Sequence, residues 1–123
     1  MVDQISNLST DMVEPIITPR FALTCTGGLM TSLGEIAKKH NLAVQTHVSE
    51  NLHEIQTAKD LFPKAKDYLE IYENTGLVGK RTLLAHGIHL TEDELPEVTN
   101  FGIARTNYEI FKLFNVPIWK NKL

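Results

Sequence analysis

Hydrophobic and polar positions follow two rhythms along the chain, a short continuous apolar run and a longer stripe with a period of about 3.6, and the two alternate. Residues 1–13 are rich in Ser, Asn and Asp, carry neither rhythm and read as a flexible N-terminal segment. Organisation begins near Glu14. Pro15-Ile16-Ile17-Thr18 is a β-branched run stopped by Pro19, which biases the residue before it toward extended backbone, so a strand is predicted. Leu29, Leu33, Ile36 and Ala37 recur at helical spacing, and Lys38, Lys39 and His40 sit where a helix dipole favours cations; this predicts a helix ending near Asn41.

The pattern then repeats. Leu42-Ala43-Val44 is too short for a helix and reads as a buried strand, followed by the polar string Gln45-Thr46-His47-Val48-Ser49-Glu50. Asn51 and Glu54 have capping-box spacing, and Ile55, Ala58, Leu61 and Phe62 mark one face of a helix that Pro63 closes. Tyr68, Leu69 and Tyr72 predict a further helix with Gly76 past its end, and Thr82-Leu83-Leu84-Ala85 is a third strand terminating at His86 and Gly87. Thr91 and Glu94 make a second capping box that opens a short helix through Leu95 and Val98. Strands apolar throughout, separated by helices, indicate an α/β fold with a parallel sheet covered by its crossovers. The organised part spans residues 14–99; from 100 to 123 the aromatics Phe101, Tyr108, Phe111, Phe114 and Trp119 and the basic end follow no such unit, and this segment reads as divergent.

Composition narrows the partners. With 42% hydrophobic and 22% charged residues the chain has ordinary globular composition, and a net charge of −3 without a run of five or more Lys or Arg offers no nucleic-acid or anionic-membrane footprint. The one cysteine, Cys25, forms no internal disulfide and has no neighbouring base, which suits packing in the reducing cytosol.

Candidate chemistry sits where the strands end. Arg20 follows the first strand, His47 the second, and His86 closes the third, all at the edge that carries function in βα folds. Imidazoles from adjacent parallel strands, about 4.8 Å apart, can converge on one metal ion, although catalytic zinc takes at least three protein ligands and an open position for water. Glu50, three residues after His47, is placed either as a general base beside such an ion or as a solvated carboxylate at a helix start. Arg20 offers a planar donor fork that suits a carboxylate or the O6 and N7 acceptors of guanine, and Phe21 suits either a heterocycle or the core. His40, His53 and His89 read as surface or helix-end residues, and Asp60, Asp67 and Asp93 lie in charged helical settings; none is assigned chemistry.

Taken together, Ile17-Thr18-Pro19-Arg20-Phe21, Thr46-His47-Val48-Ser49-Glu50-Asn51 and Leu84-Ala85-His86-Gly87 resemble, in order and spacing, the guanine deaminases, a family of zinc amidohydrolases. The resemblance covers roughly residues 14–98. It implies a (β/α)8 barrel with zinc at its C-terminal mouth, and hydrolysis of guanine to xanthine and ammonia in purine catabolism. It implies His47 and His86 as metal-site histidines, Glu50 as the proton shuttle, Arg20 and Phe21 as residues that hold guanine, and His47 and Glu50 as also binding the substrate.

No His-x-His pair precedes Arg20 and no strand-end Asp follows His86, so the chain is expected to be an incomplete barrel of about three βα units that lacks part of the metal site. By itself it is expected to be inactive and to associate through its open sheet face and edges, including as a homo-oligomer. Two alternatives stay open: a non-catalytic module that pairs with full-length subunits, and an amidohydrolase acting on another nucleobase. Co-purification with the complete enzyme separates the first, and selective loss of guanine turnover in Arg20→Ala separates the second.

Overall fold

The computed structural model describes residues 14–94, together with Gln4, Asn7 and the backbone of Ala104–Arg105. The expected flexible segment 1–13, the helix through Leu95 and Val98, and nearly all of the divergent segment 100–123 lie outside the described residues. Four strands, β1 (Ile16–Ile17), β2 (Ala43–Val48), β3 (Thr82–His86) and β4 (Ala104–Arg105), form one sheet in the order β1-β2-β3-β4. Every neighbouring pair is parallel. A monotonic order with crossovers of one hand keeps the helices on one face, whereas a doubly wound sheet reverses its order part-way. Strand β4 is the element that the sequence rhythm did not reveal, since two residues are too few to make a pattern.

Between β1 and β2 runs α1 (Gly27–His40), and between β2 and β3 run α2 (Leu52–Leu61) and α3 (Tyr68–Glu73). Each helix opens on a side-chain cap. The Thr26 hydroxyl accepts the Leu29 N–H, Asn51 accepts from Glu54, and Asp67, read from sequence as a bystander, accepts from Glu70. At the far end of α1, Asn41 takes the left-handed conformation (φ 51°), and its N–H bonds to the Ala37 and Lys38 carbonyls.

The apolar stripe of α1 is rotated from the expected one: Met30, Gly34 and Ala37 are buried, whereas Leu29 is 48% exposed. The helix begins two residues before Leu29 with Gly27 and Gly28, poor helix formers that hide its start. On α2, Ala58 is buried, but Leu61 is exposed and Phe62 lies past the helix end.

Strand β2 also runs further than expected. It continues from the apolar run through Thr46 and His47 to Val48, and burial alternates along it. Val44, Thr46 and Val48 are buried beneath the helices with Thr82 and Leu84 of β3, while Ala43, Gln45, His47, Leu83 and Ala85 on the opposite face are half-buried. Helices therefore cover only one face of this sheet and leave the other open, as expected of an incomplete barrel. The core on that face contains Met30, Ala58, Leu69, Tyr72, Leu77 and Leu84. Among the described residues no helix is long and apolar enough to cross a membrane.

Close packing of α1 on the turn after α3 depends on Gly34, where an added Cβ would collide with the Thr75 carbonyl oxygen. Gly34→Ala is expected to lose about 1–3 kcal/mol of stability by overpacking. Gly28→Ala, where nothing lies within 4 Å of the new Cβ, should gain about 0.5–1 kcal/mol from helix propensity. Urea denaturation midpoints moving in the same direction in both variants would contradict this packing.

Candidate active site

Arg20, His47, Glu50 and His86 come together at the C-terminal ends of β1, β2 and β3. The loop after β1 is fastened to β2 where Gln45 Nε2 donates to the Thr18 hydroxyl at 3.0 Å and, further along, at the Arg20 carbonyl oxygen. It accepts the His47 backbone N–H at 3.1 Å, His47 Nδ1 at 2.7 Å and the Thr46 hydroxyl at 3.3 Å. A carbonyl has no proton to give, so Nδ1 carries the hydrogen and the lone pair of His47 resides on Nε2. The Arg20 side chain is exposed, with its guanidinium carbon 5.5 Å from the centre of the Phe21 ring, and that ring meets His47 edge-on at 6.4 Å.

His86 reaches the same place by a different device. In the parallel register His47 lies opposite Ala85, and Val48 lies opposite His86. Regular pleating would put the His86 side chain on the helix-covered face with Val48. Instead His86 has φ 69°, the left-handed region, and its ring stacks on that of His47 with centroids 5.1 Å apart. A non-glycine residue held there carries backbone strain, and the break in the pleat is what brings the two imidazoles together.

Glu50 lies in the loop before α2, 48% exposed, with Oε1 3.7 Å from His86 Nε2. Its backbone N–H donates to Glu54 Oε2 at 3.2 Å, so the capping carboxylate of α2 reaches past the cap residue Asn51 and anchors Glu50. The loops after β2 and β3 are joined as well: Gly87 N–H donates to the Val48 carbonyl and His89 N–H to the Ser49 carbonyl.

The arrangement sets two imidazoles, an exposed carboxylate, a guanidinium and an aromatic ring along one edge. Imidazole nitrogen is a donor that suits zinc. Among the described residues no group of three or more His, Cys, Asp or Glu side chains lies close enough to hold a metal. His53 is exposed, Asp60 accepts a hydrogen bond from Gln56, and Cys25 packs half-buried against the core.

Two further residues touch this edge from below. The Tyr72 hydroxyl donates to the His47 carbonyl at 2.7 Å and accepts the Ala22 N–H at 2.9 Å, and Glu54 holds Glu50. Tyr72 read from sequence as one more apolar helix position, because partners 25 and 50 residues distant leave no local pattern. For Glu54 the capping-box spacing was visible, though it pointed to Asn51.

The sequence profile of the Amidohydrolase family matches residues 1–109. The chain belongs to the amidohydrolase family. It is similar to the probable guanine deaminase of Schizosaccharomyces pombe, 51% identical over 72% of this chain and 17% of that protein. It is also similar to the guanine deaminase of Rattus norvegicus, 45% identical over 84% of this chain and 23% of that protein. Among solved structures, the guanine deaminase from C. acetobutylicum with bound guanine in the active site superposes with a TM-score of 0.80 at 38% identity, covering 85% of this chain and 25% of that one. An adenosine deaminase from Xanthomonas campestris with bound zinc, 19% identical with a TM-score of 0.75 over 85% of this chain and 23% of that one, shares the fold. The amidohydrolase chain thus spans about a fifth of the length of the curated relatives it matches. Its parallel strands form an arc of an incomplete (β/α)8 barrel.

Burial pushes the Tyr72 phenol up from 10.0 to about 12, against hydrogen bonds that pull it down, and burial also pushes Tyr68 up, with Tyr72 and Glu54 adding to the effect. A folded-state value above the unfolded one means stability that is fully present below pH 10. It is lost as pH rises from there through 12, because the unfolded chain releases the proton first. Urea midpoints should fall between pH 10 and 12 and fall less steeply in Tyr72→Phe; equal slopes would contradict the assignment.

Proposed function

We propose that this amidohydrolase chain is the substrate-holding and proton-transferring part of a guanine deaminase, which hydrolyses guanine to xanthine and ammonia. The observation that supports this reading best is the convergence of Arg20, Phe21, His47, Glu50 and His86 on one sheet edge, in a chain 45–51% identical to guanine deaminases over most of its length. Each of the three motifs contributes a different strand end to it.

Zinc, when bound in the complete barrel, supplies Lewis-acid activation of water at this edge. His47 would hold it through Nε2 and His86 through its imidazole, with the remaining ligands coming from other parts of the barrel. The Arg20 carbonyl keeps His47 in the required tautomer, as carbonyls and carboxylates do for metal-site histidines. Arg20 presents its fork to O6 and N7 of guanine, and Phe21 packs against the purine. Glu50 takes one proton from the attacking water and delivers it to the ring nitrogen, then takes the remaining proton of the added hydroxyl and delivers it to the amine, which departs as ammonia; its tethered backbone and exposed carboxylate suit that shuttle. The substrate is a small molecule, the setting is the cytosol, and the open sheet face favours assembly with further barrel segments or copies of the chain.

The test is a chimera in which residues 14–94 replace the matched segment of the Rattus norvegicus guanine deaminase. The chimera should convert guanine to xanthine. Within it, Arg20→Ala should raise KM for guanine, and Glu50→Gln should lower kcat by about 10²–10⁴-fold while guanine still binds. The 123-residue chain alone should show no turnover. Unchanged kinetics in both chimera variants, or turnover by the lone chain with equivalent zinc, would sink the reading.

A further inference from the structure

Beneath the proposed site a single hydroxyl joins two elements that the sequence keeps far apart. Tyr72 lies on α3 with no exposed surface, and its ring packs at 5.6 Å from that of Tyr68. Its hydroxyl uses its proton on the His47 carbonyl and its lone pair on the Ala22 N–H. Both partners belong to the site: His47 carries one of the two stacked imidazoles, and Ala22 directly follows Arg20 and Phe21. The same loop is also held by the three donors of β2 that converge on the Arg20 carbonyl. Two fastenings therefore fix the Arg20–Ala22 loop against β2, one made by β2 itself and one made by α3.

We propose that Tyr72 is a positioning residue: its hydroxyl locks the loop bearing Arg20 and Phe21 to His47, so that the groups facing substrate and the imidazole beside them keep one mutual geometry. This rests on the reading of Arg20, Phe21 and His47 as site residues. Without the hydroxyl, the buried Ala22 amide and the part-buried His47 carbonyl lose this partner, and such groups draw in water or shift until they find another. The Phe21 ring and the Arg20 carbonyl move with Ala22. The bond between that carbonyl and His47 Nδ1, which selects the His47 tautomer, weakens in turn. Tyr72 touches no reacting atom; it acts through the loop.

The experiment compares the 123-residue chain with its Tyr72→Phe variant, which keeps the ring and removes the oxygen. Amide exchange at Ala22 should quicken by at least about tenfold, beyond any change at the helix-core amides. The ring-nitrogen NMR shifts of His47, read at a pH where it is neutral, should move away from the Nδ1–H form. A purely structural hydroxyl would change global stability and leave the tautomer alone, so unchanged His47 shifts, or an unchanged Ala22 amide, would overturn the proposal. Should Tyr72→Phe fail to fold, the unmodified chain decides: a slowly exchanging Tyr72 hydroxyl proton close to the Ala22 amide supports the lock, and its absence refutes it. Arg20→Ala serves as the separate control. It should leave the Ala22 amide and the His47 tautomer as they are, so a failure of the guanine reading would show in the chimera kinetics and a failure of the lock in these spectra.

Discussion

A parallel ladder that sets Val48 opposite His86 ought to send the His86 side chain to the helix-covered face, and the site exists because it does not. Strand geometry alternates side chains between faces with a period of two. His47 and His86 stand one register position apart, so an unbroken pleat would place them on opposite faces of the sheet. The left-handed backbone at His86 removes that alternation at the last strand residue and lets the two rings stack. Strain of this kind persists only where the surroundings hold it. Here they do: Gly87 and His89 extend the hydrogen bonding into the loop after β2.

The other parts of the site are held to that pair through backbone atoms rather than through side chains in the open. The Arg20 carbonyl, the Ala22 and Glu50 amides and the His47 carbonyl are each tied down, while the Arg20 guanidinium and the Glu50 carboxylate stay exposed. Fixed main chain with free reactive ends suits chemistry, because binding and proton transfer need the functional group solvated or substrate-facing while its origin stays still. Buried polar groups beneath the sheet serve this end. Thr82, whose hydroxyl donates to the Leu77 carbonyl and accepts from Gly79, holds the entry to β3, and Tyr72 and Glu54 hold the C-terminal end of β2 and the loop after it.

Much of this was legible in local sequence, and the reasons differ from element to element. The caps Asn51 and Thr91 announced themselves by spacing, since a cap and its partner lie within four residues, and Thr91 with Glu94 forms the expected reciprocal pair. Helix α1 was found but rotated by one residue, because Leu29 is more hydrophobic than Met30 while packing chose Met30. Strand β2 was cut short at Val44, since polar Gln45, Thr46 and His47 conceal a strand that is covered on one side. The residues that meet at this edge were recognisable as candidates because Arg20, His47, Glu50 and His86 sit at boundaries between patterns, where a polar residue is conspicuous.

By itself the sequence determined the alternation of strand and helix, the polar residues at each strand end and the family to which their motifs belong, all of which follow from interactions within a few residues. Tertiary structure alone decided that a left-handed residue turns His86 onto His47, and that Tyr72 and Glu54 support the candidate site from beneath. Those outcomes depend on contacts between residues tens of positions apart and on a backbone angle at one histidine. No periodicity encodes either; they arise when the sheet is assembled and its buried polar groups must find partners.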